Sequence, residues 1–139
     1  MTSNDRSLRF FDEEDFTSEH DKLFIYLLQN WKQILIDKKV EQLNWEAFEI
    51  IGEPCLEGYP PLFPDAIIKN RNGECPRILF EIKPEIDSFS KVLRQLRLYQ
   101  SRLKLDNNKI ILVTHETKFD EIFKSQFMIC YHPPKEGEP

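Results

Sequence analysis

Asp65-Ala66-Ile67-Ile68-Lys69, then Asn70-Arg71-Asn72-Gly73, then Arg77-Ile78-Leu79-Phe80-Glu81-Ile82-Lys83 is the stretch that decides the fold. Two short apolar runs rich in β-branched residues flank a turn signal, so the segment reads as a hairpin. Pro84 stops the second strand. In an antiparallel pair, residues equidistant from the turn face each other. Asp65 and Glu81 each lie eight positions from Gly73, which makes them cross-strand neighbours with side chains about 5 Å apart. Alternation along the strand puts Lys83 on the face of Glu81, and Phe80 and Ile82 on the other.

Outward from the hairpin the chain alternates helix and strand. Upstream, Leu23, Leu27, Trp31 and Ile34 recur with helical period, widened by Phe24, Leu28 and Leu35, and predict a helix over 18–37. Trp45–Gly52 alternates and ends in glycine, a strand. Residues 53–64 hold four prolines and read as a loop packed by its own apolar residues. Downstream, Asp87 or Ser88 caps a helix over 88–104, with Val92, Leu96 and Leu103 on its inner face. A buried strand follows at 109–114, a short helix near 117–125, and a last strand at 127–131. The expected class is α/β (α+β): a small mixed sheet flanked by helices in the order αβββαβαβ.

At 139 residues the chain is one domain's length and can bury a core without disulfides or a structural metal. Expected limits are an acidic N-terminal arm over 1–17, a single domain over 18–131 and a frayed tail over 132–139. No apolar run approaches the length of a membrane span, and the polar start does not read as a signal peptide. Cys55, Cys75 and Cys130 lie far apart without a CxxC pair, which argues against a disulfide framework and a zinc finger and reads as small apolar residues. His20, His115 and His132 show no metal-ligand spacing. The expected setting is reducing and cytoplasmic, with no membrane partner.

The net charge of −5 misleads about partners. Residues 1–21 carry seven acids and two bases, which leaves seventeen of each in the remainder. The helix over 88–104 is basic: Lys91, Arg94 and Arg102 share one stripe with Gln95, and Tyr99 stands where that stripe meets the apolar one. Such a stripe suits a phosphate backbone, the bland alternative being a solvated helix face.

Two adjacent carboxylates repel, and a divalent cation resolves the repulsion. Asp65, Glu81 and the carbonyl of Ile82 supply the oxygen ligands that Mg²⁺ prefers, and Mn²⁺ could substitute. Lys83 would orient a water or neutralise charge on a phosphate. The alternative is an edge-strand salt bridge between Lys83 and either acid.

Pro64-Asp65 with Glu81-Ile82-Lys83 spells PD…ExK across a hairpin, and Gln95 and Tyr99 follow as QxxxY. With the order of elements, this resembles the PD-(D/E)XK nuclease superfamily and its restriction-endonuclease-like core. QxxxY is similar to the RecB-like branch, and Glu81-Ile82-Lys83-Pro84 followed by Asp87, Ser90 and Gln95 is similar to the VRR-Nuc pattern. The resemblance implies metal-binding acids at Asp65 and Glu81, a catalytic lysine at Lys83, and Gln95 and Tyr99 positioning substrate or metal. It also implies a glutamate from the first helix. Glu19 is chosen, with Glu14 and Glu13 as rivals. The implied activity is Mg²⁺-dependent hydrolysis of nucleic acid, DNA foremost, by a metal-activated water. A homodimer or a partner subunit would serve cutting of two strands. The competing expectation is a catalytically inactive nuclease-fold module for nucleic-acid binding or protein assembly.

Overall fold

A computed structural model describes residues 18–40, 45–58, 61–73, 75–126 and 128–134. The arm over 1–17 and the rivals Glu13 and Glu14 lie outside the described residues. The elements are α1 (Ser18–Asp37), β1 (Phe48–Gly52), β2 (Ala66–Asn70), β3 (Pro76–Ile82), α2 (Phe89–Leu103), β4 (Ile110–Val113), α3 (Asp120–Ser125) and β5 (Ile129–Tyr131). The class is α+β, and the order αβββαβαβ is the one expected.

One five-stranded mixed sheet runs β1-β2-β3-β4-β5, antiparallel across β1, β2 and β3 and parallel across β3, β4 and β5. Helices flank both faces. Leu23, Leu27, Trp31 and Ile34 of α1 pack on Ile68, Phe80, Ile82, Ile111 and Val113. Val92, Leu96 and Tyr99 of α2, with Phe123 of α3, pack on Ile67, Leu79 and Leu112. Alternate residues of β3 and β4 thus enter opposite layers, which explains their unbroken apolar runs. Phe80 and Ile82 face α1, so the intervening Glu81 faces the α2 layer.

The differences from expectation lie at element ends. The strand over 45–52 begins only at Phe48, and Trp45–Ala47 is a 3₁₀ turn. β2 supplies no partner beyond Asn70, the residue opposite Phe48. Arg71 instead closes the turn, its N–H donating to the Ala47 carbonyl and its Nε to the Glu46 carbonyl. On α2, Ser88 is the N-cap, its hydroxyl accepting from the Lys91 N–H at 3.3 Å. Leu103 is half-buried, and Tyr99 takes its place in the core. The tail expected over 132–139 starts with an anchored residue. His132 is half-buried, with Nδ1 2.7 Å from the Thr114 carbonyl and Nε2 2.9 Å from Asp120 Oδ2. Residues 135–139 lie outside the described residues.

Candidate functional site

The hairpin register brings the acids together. Ala66 pairs with Phe80, so the next step outward sets Asp65 beside Glu81. Nearer the turn the ladder slips and Lys69 pairs with Pro76. Pro76 has no N–H for the ladder, and the irregularity stays at the turn end, away from the acids.

Asp65 is fixed on all sides. Its carbonyl accepts from the Glu53 N–H at 2.7 Å, and Glu53 adopts the left-handed conformation (φ 50°) to deliver that bond. Its Oδ2 accepts from the Ile82 N–H at 2.7 Å, and its own N–H donates to Glu81 Oε1 at 3.3 Å. Its Oδ1 lies 3.0 Å from Nε2 of His20. A carboxylate can only accept, so Nε2 carries the proton. Lys83 Nζ stands 3.9 Å from Glu81 Oε2, and the Lys83 N–H donates to the Val113 carbonyl. His20, Asp65 and Glu81 are each 1% exposed and Lys83 2%. Burial would raise the Asp65 carboxyl. The hydrogen bond and charge of His20, the Ile82 N–H and the Glu81 side chain outweigh burial and hold it below the usual carboxylate range.

Asp65, Glu81 and Lys83 therefore share one site, and Ile82 joins it through its N–H. Gln95 Nε2 donates to the Tyr99 hydroxyl at 3.2 Å on α2, where Tyr99 is buried in the core with Val92 and Leu96. Glu19 does not make the contact expected of it. Its side chain is exposed and lies 3.5 Å from Lys22, and His20 takes the place beside Asp65. The reason is angular. At about 100° per residue, His20 falls inside the Leu23/Leu27/Trp31/Ile34 stripe, whereas Glu19 lies outside it, about 75° from its centre. That phase was the available signal, since spacing to other metal ligands says nothing of a residue that meets its partner across the fold.

Along α2, Lys91 and Arg94 are exposed, while Arg102 is half-buried. A Cβ at Gly58 would collide with the Arg102 guanidinium, so this arginine leans on the proline-rich loop. Arg97 turns inward, with Nη1 on Gln100 Oε1 and Asn107 Oδ1 and Nη2 on the Gln126 carbonyl. Of the cysteines, Cys55 and Cys75 are exposed, contrary to the small-apolar expectation, and Cys130 is half-buried. His115 is half-buried and donates its backbone N–H to the Pro84 carbonyl.

No family model, curated protein or solved structure matches the chain. What the site can do rests on its own geometry. Among the described residues no three His, Cys, Asp or Glu side chains gather to hold a metal, and no helix is long and apolar enough to cross a membrane. Mg²⁺ asks for less than a full protein cage. One or two carboxylates suffice, with water and phosphate oxygens completing the shell. The donor chemistry of Asp65 and Glu81, adjacent and hard, fits that requirement.

Proposed function

We propose that the protein is a Mg²⁺-dependent nuclease of the PD-(D/E)XK kind acting on nucleic acid, DNA foremost, from a reducing, cytoplasmic setting. The observation that carries this reading is the buried pair Asp65 and Glu81 with Lys83 at one strand end. Asp65, Glu81 and the Ile82 carbonyl would hold the ion, with Mn²⁺ as a substitute. When bound, the ion would supply an acidified water and neutralise charge on the phosphate.

The remaining work falls to this chain's own groups. Lys83, held by Glu81, presents an ammonium to charge developing on the phosphoryl oxygens. His20 keeps the Asp65 carboxylate ionised and oriented. Lys91 and Arg94, with Arg102 at the far end of α2, take backbone phosphates. The half-buried Gln95, its amide held by the Tyr99 hydroxyl, would position the substrate. A homodimer or a partner subunit would bring a second site for the second strand.

One observation favours a second reading, a non-cleaving nucleic-acid-binding or assembly module. Both Asp65 oxygens already accept hydrogen bonds, and the cluster is closed to solvent. The deciding experiment compares wild type with Asp65→Asn, Glu81→Gln and Lys83→Met on labelled single- and double-stranded DNA with Mg²⁺ or Mn²⁺, circular dichroism confirming the fold. Ion-dependent cleavage lost in all three supports the nuclease. Cleavage that survives either acid substitution sinks it. Nucleic-acid binding with no calorimetric ion binding favours the module.

A further inference from the structure

Beside the cluster lies a groove of about 850 Å³ that the chemistry above does not use. One wall is the outer side of α1, through Ile25, Tyr26 and Gln29. Its floor is Pro84, His115 and Pro133, the residues that follow β3, β4 and β5 where those parallel strands end. Open parallel sheets bind ligands at the carboxyl ends of their strands, and a volume of this size is typical of such sites. The groove abuts the candidate centre: Pro84 follows Lys83, and the lining residue Glu19 precedes His20.

The lining identifies the kind of occupant. Lys22 stands against two carboxylates, Glu19 and Glu85, so the groove is no bed for a run of phosphates. The exposed cations of α2, Lys91 and Arg94, serve that end. The groove instead offers proline rings, the Ile25 side chain and the Tyr26 ring, which stacks on Tyr131 at 6.4 Å between centroids. Around these stand the Gln29 amide, the His115 ring and the two carboxylates. Flat apolar surfaces with scattered donors and acceptors match unpaired nucleobases, which offer π faces for stacking and N–H edges for carboxylates and amides. In a duplex those faces are stacked and the edges paired.

Resting on the nuclease reading, we infer that the groove receives unpaired bases of a single nucleic-acid strand next to the scissile phosphate at the candidate centre, so that the substrate is single-stranded or carries a single-stranded flank. The test measures fluorescence anisotropy of the full chain without divalent ion on three probes: a mixed-sequence DNA strand, the blunt duplex of that sequence, and a strand with abasic sites. Ile25→Glu and Gln29→Ala alter exposed groove positions outside the core. The single strand is expected to bind about ten-fold tighter than duplex or abasic strand, and Ile25→Glu to remove that preference. Equal binding of all three probes, or a preference untouched by both variants, overturns the inference and leaves the groove to another occupant such as a peptide. The two proposals fail separately. Strand binding lost in Ile25→Glu without any wild-type cleavage under Mg²⁺ keeps the groove and removes the nuclease. Mg²⁺-dependent cleavage of single strands undiminished by Ile25→Glu does the reverse.

Discussion

Replacing His20 with alanine should destabilise this protein strongly, and in a pH-dependent way. The ring is 1% exposed, and its Nε2–H bonds Asp65 Oδ1 at 3.0 Å inside the fold. Losing a hydrogen bond to a charged group costs about 1.5–3 kcal/mol, and stripping a buried charge of its partner about 3–5 kcal/mol. The two overlap, so a loss of about 4 kcal/mol at pH 7 is expected, against total stabilities of about 5–15 kcal/mol. The pH dependence follows from Asp65. In wild type burial pushes its carboxyl up, but His20, the Ile82 N–H and Glu81 push harder, and the group sits below its usual range. A depressed acid contributes stability that is present above its unfolded value, about pH 4, and lost as pH falls through its folded value. Without His20, burial has only the Ile82 N–H and Glu81 against it, and the carboxyl should rise above the ordinary range. An acid so raised is penalised near neutrality and relieved as pH falls. The deficit of the variant should therefore be largest at pH 7 and shrink toward pH 4. Urea denaturation at pH 7, 5.5 and 4 reads it directly. A deficit under about 1 kcal/mol, or one of the same size at all three pH values, would refute the placement of His20 on an ionised Asp65.

Other expectations concern the rest of the framework. Arg97→Ala removes bonds to Asn107 and Gln126 that tie α2 to neighbouring segments, and one to Gln100 within α2; it should cost about 2 kcal/mol in urea melts and leave the salt dependence of nucleic-acid binding unchanged. Cys55 and Cys75 are exposed, whereas burial, followed by the nearby Asp120 and against Lys38, pushes the Cys130 thiol up to about 12. A thiol-reactive dye at pH 8 should therefore label two groups quickly and the third only on unfolding. Glu81→Leu and Lys83→Met should each destabilise by about 3–5 kcal/mol, because each removes one half of a buried ion pair, while the double variant stays within about 1–2 kcal/mol of wild type. A double variant as unstable as the two singles summed, measured in the same melts, would show that the pair does not act as a unit.

The hairpin was the most legible feature because two independent constraints agree on it. Alternation fixes which face each side chain takes, and counting from Gly73 fixes which residues meet. The count holds for Asp65 and Glu81 even though Pro76 breaks the ladder near the turn. α1 was legible for a similar reason: its stripe is long enough to fix both phase and ends. That same phase points to His20, which neither ligand spacing nor the expectation of an acid singles out. The 3₁₀ turn at Trp45–Ala47 had no local signature. Trp45–Gly52 alternates well as a strand, and where it starts depends on where the partner strand ends, a fact written at Asn70. The exposed thiols of Cys55 and Cys75 were hidden likewise, since each sits in an irregular stretch whose outer side no periodicity defines.

Burial separates the salt-bridge reading of Asp65, Glu81 and Lys83 from the functional one. An ion pair on an edge strand is wet and contributes about 0–1 kcal/mol. Here β3 has a neighbour on both sides, and the three groups with His20 are each only 1–2% exposed. An ionic cluster is a poor way to hold a sheet in such a place, because apolar side chains of the same volume do so as well or better. The rest of β3 shows that solution, with Ile78, Leu79, Phe80 and Ile82 buried on alternate faces. Glu81 and Lys83 at the end of this otherwise apolar strand, joined there by Asp65 and His20, therefore mark a candidate for chemistry rather than an ordinary stabilising pair. The balance of charge also constrains that chemistry. Lys83 answers one carboxylate and His20 bonds the other, so a dication arriving alone would find little unmet negative charge. A phosphate arriving with it restores the balance. Under the nuclease reading, ion and nucleic acid should therefore bind with positive coupling, each weakly alone and both tightly together.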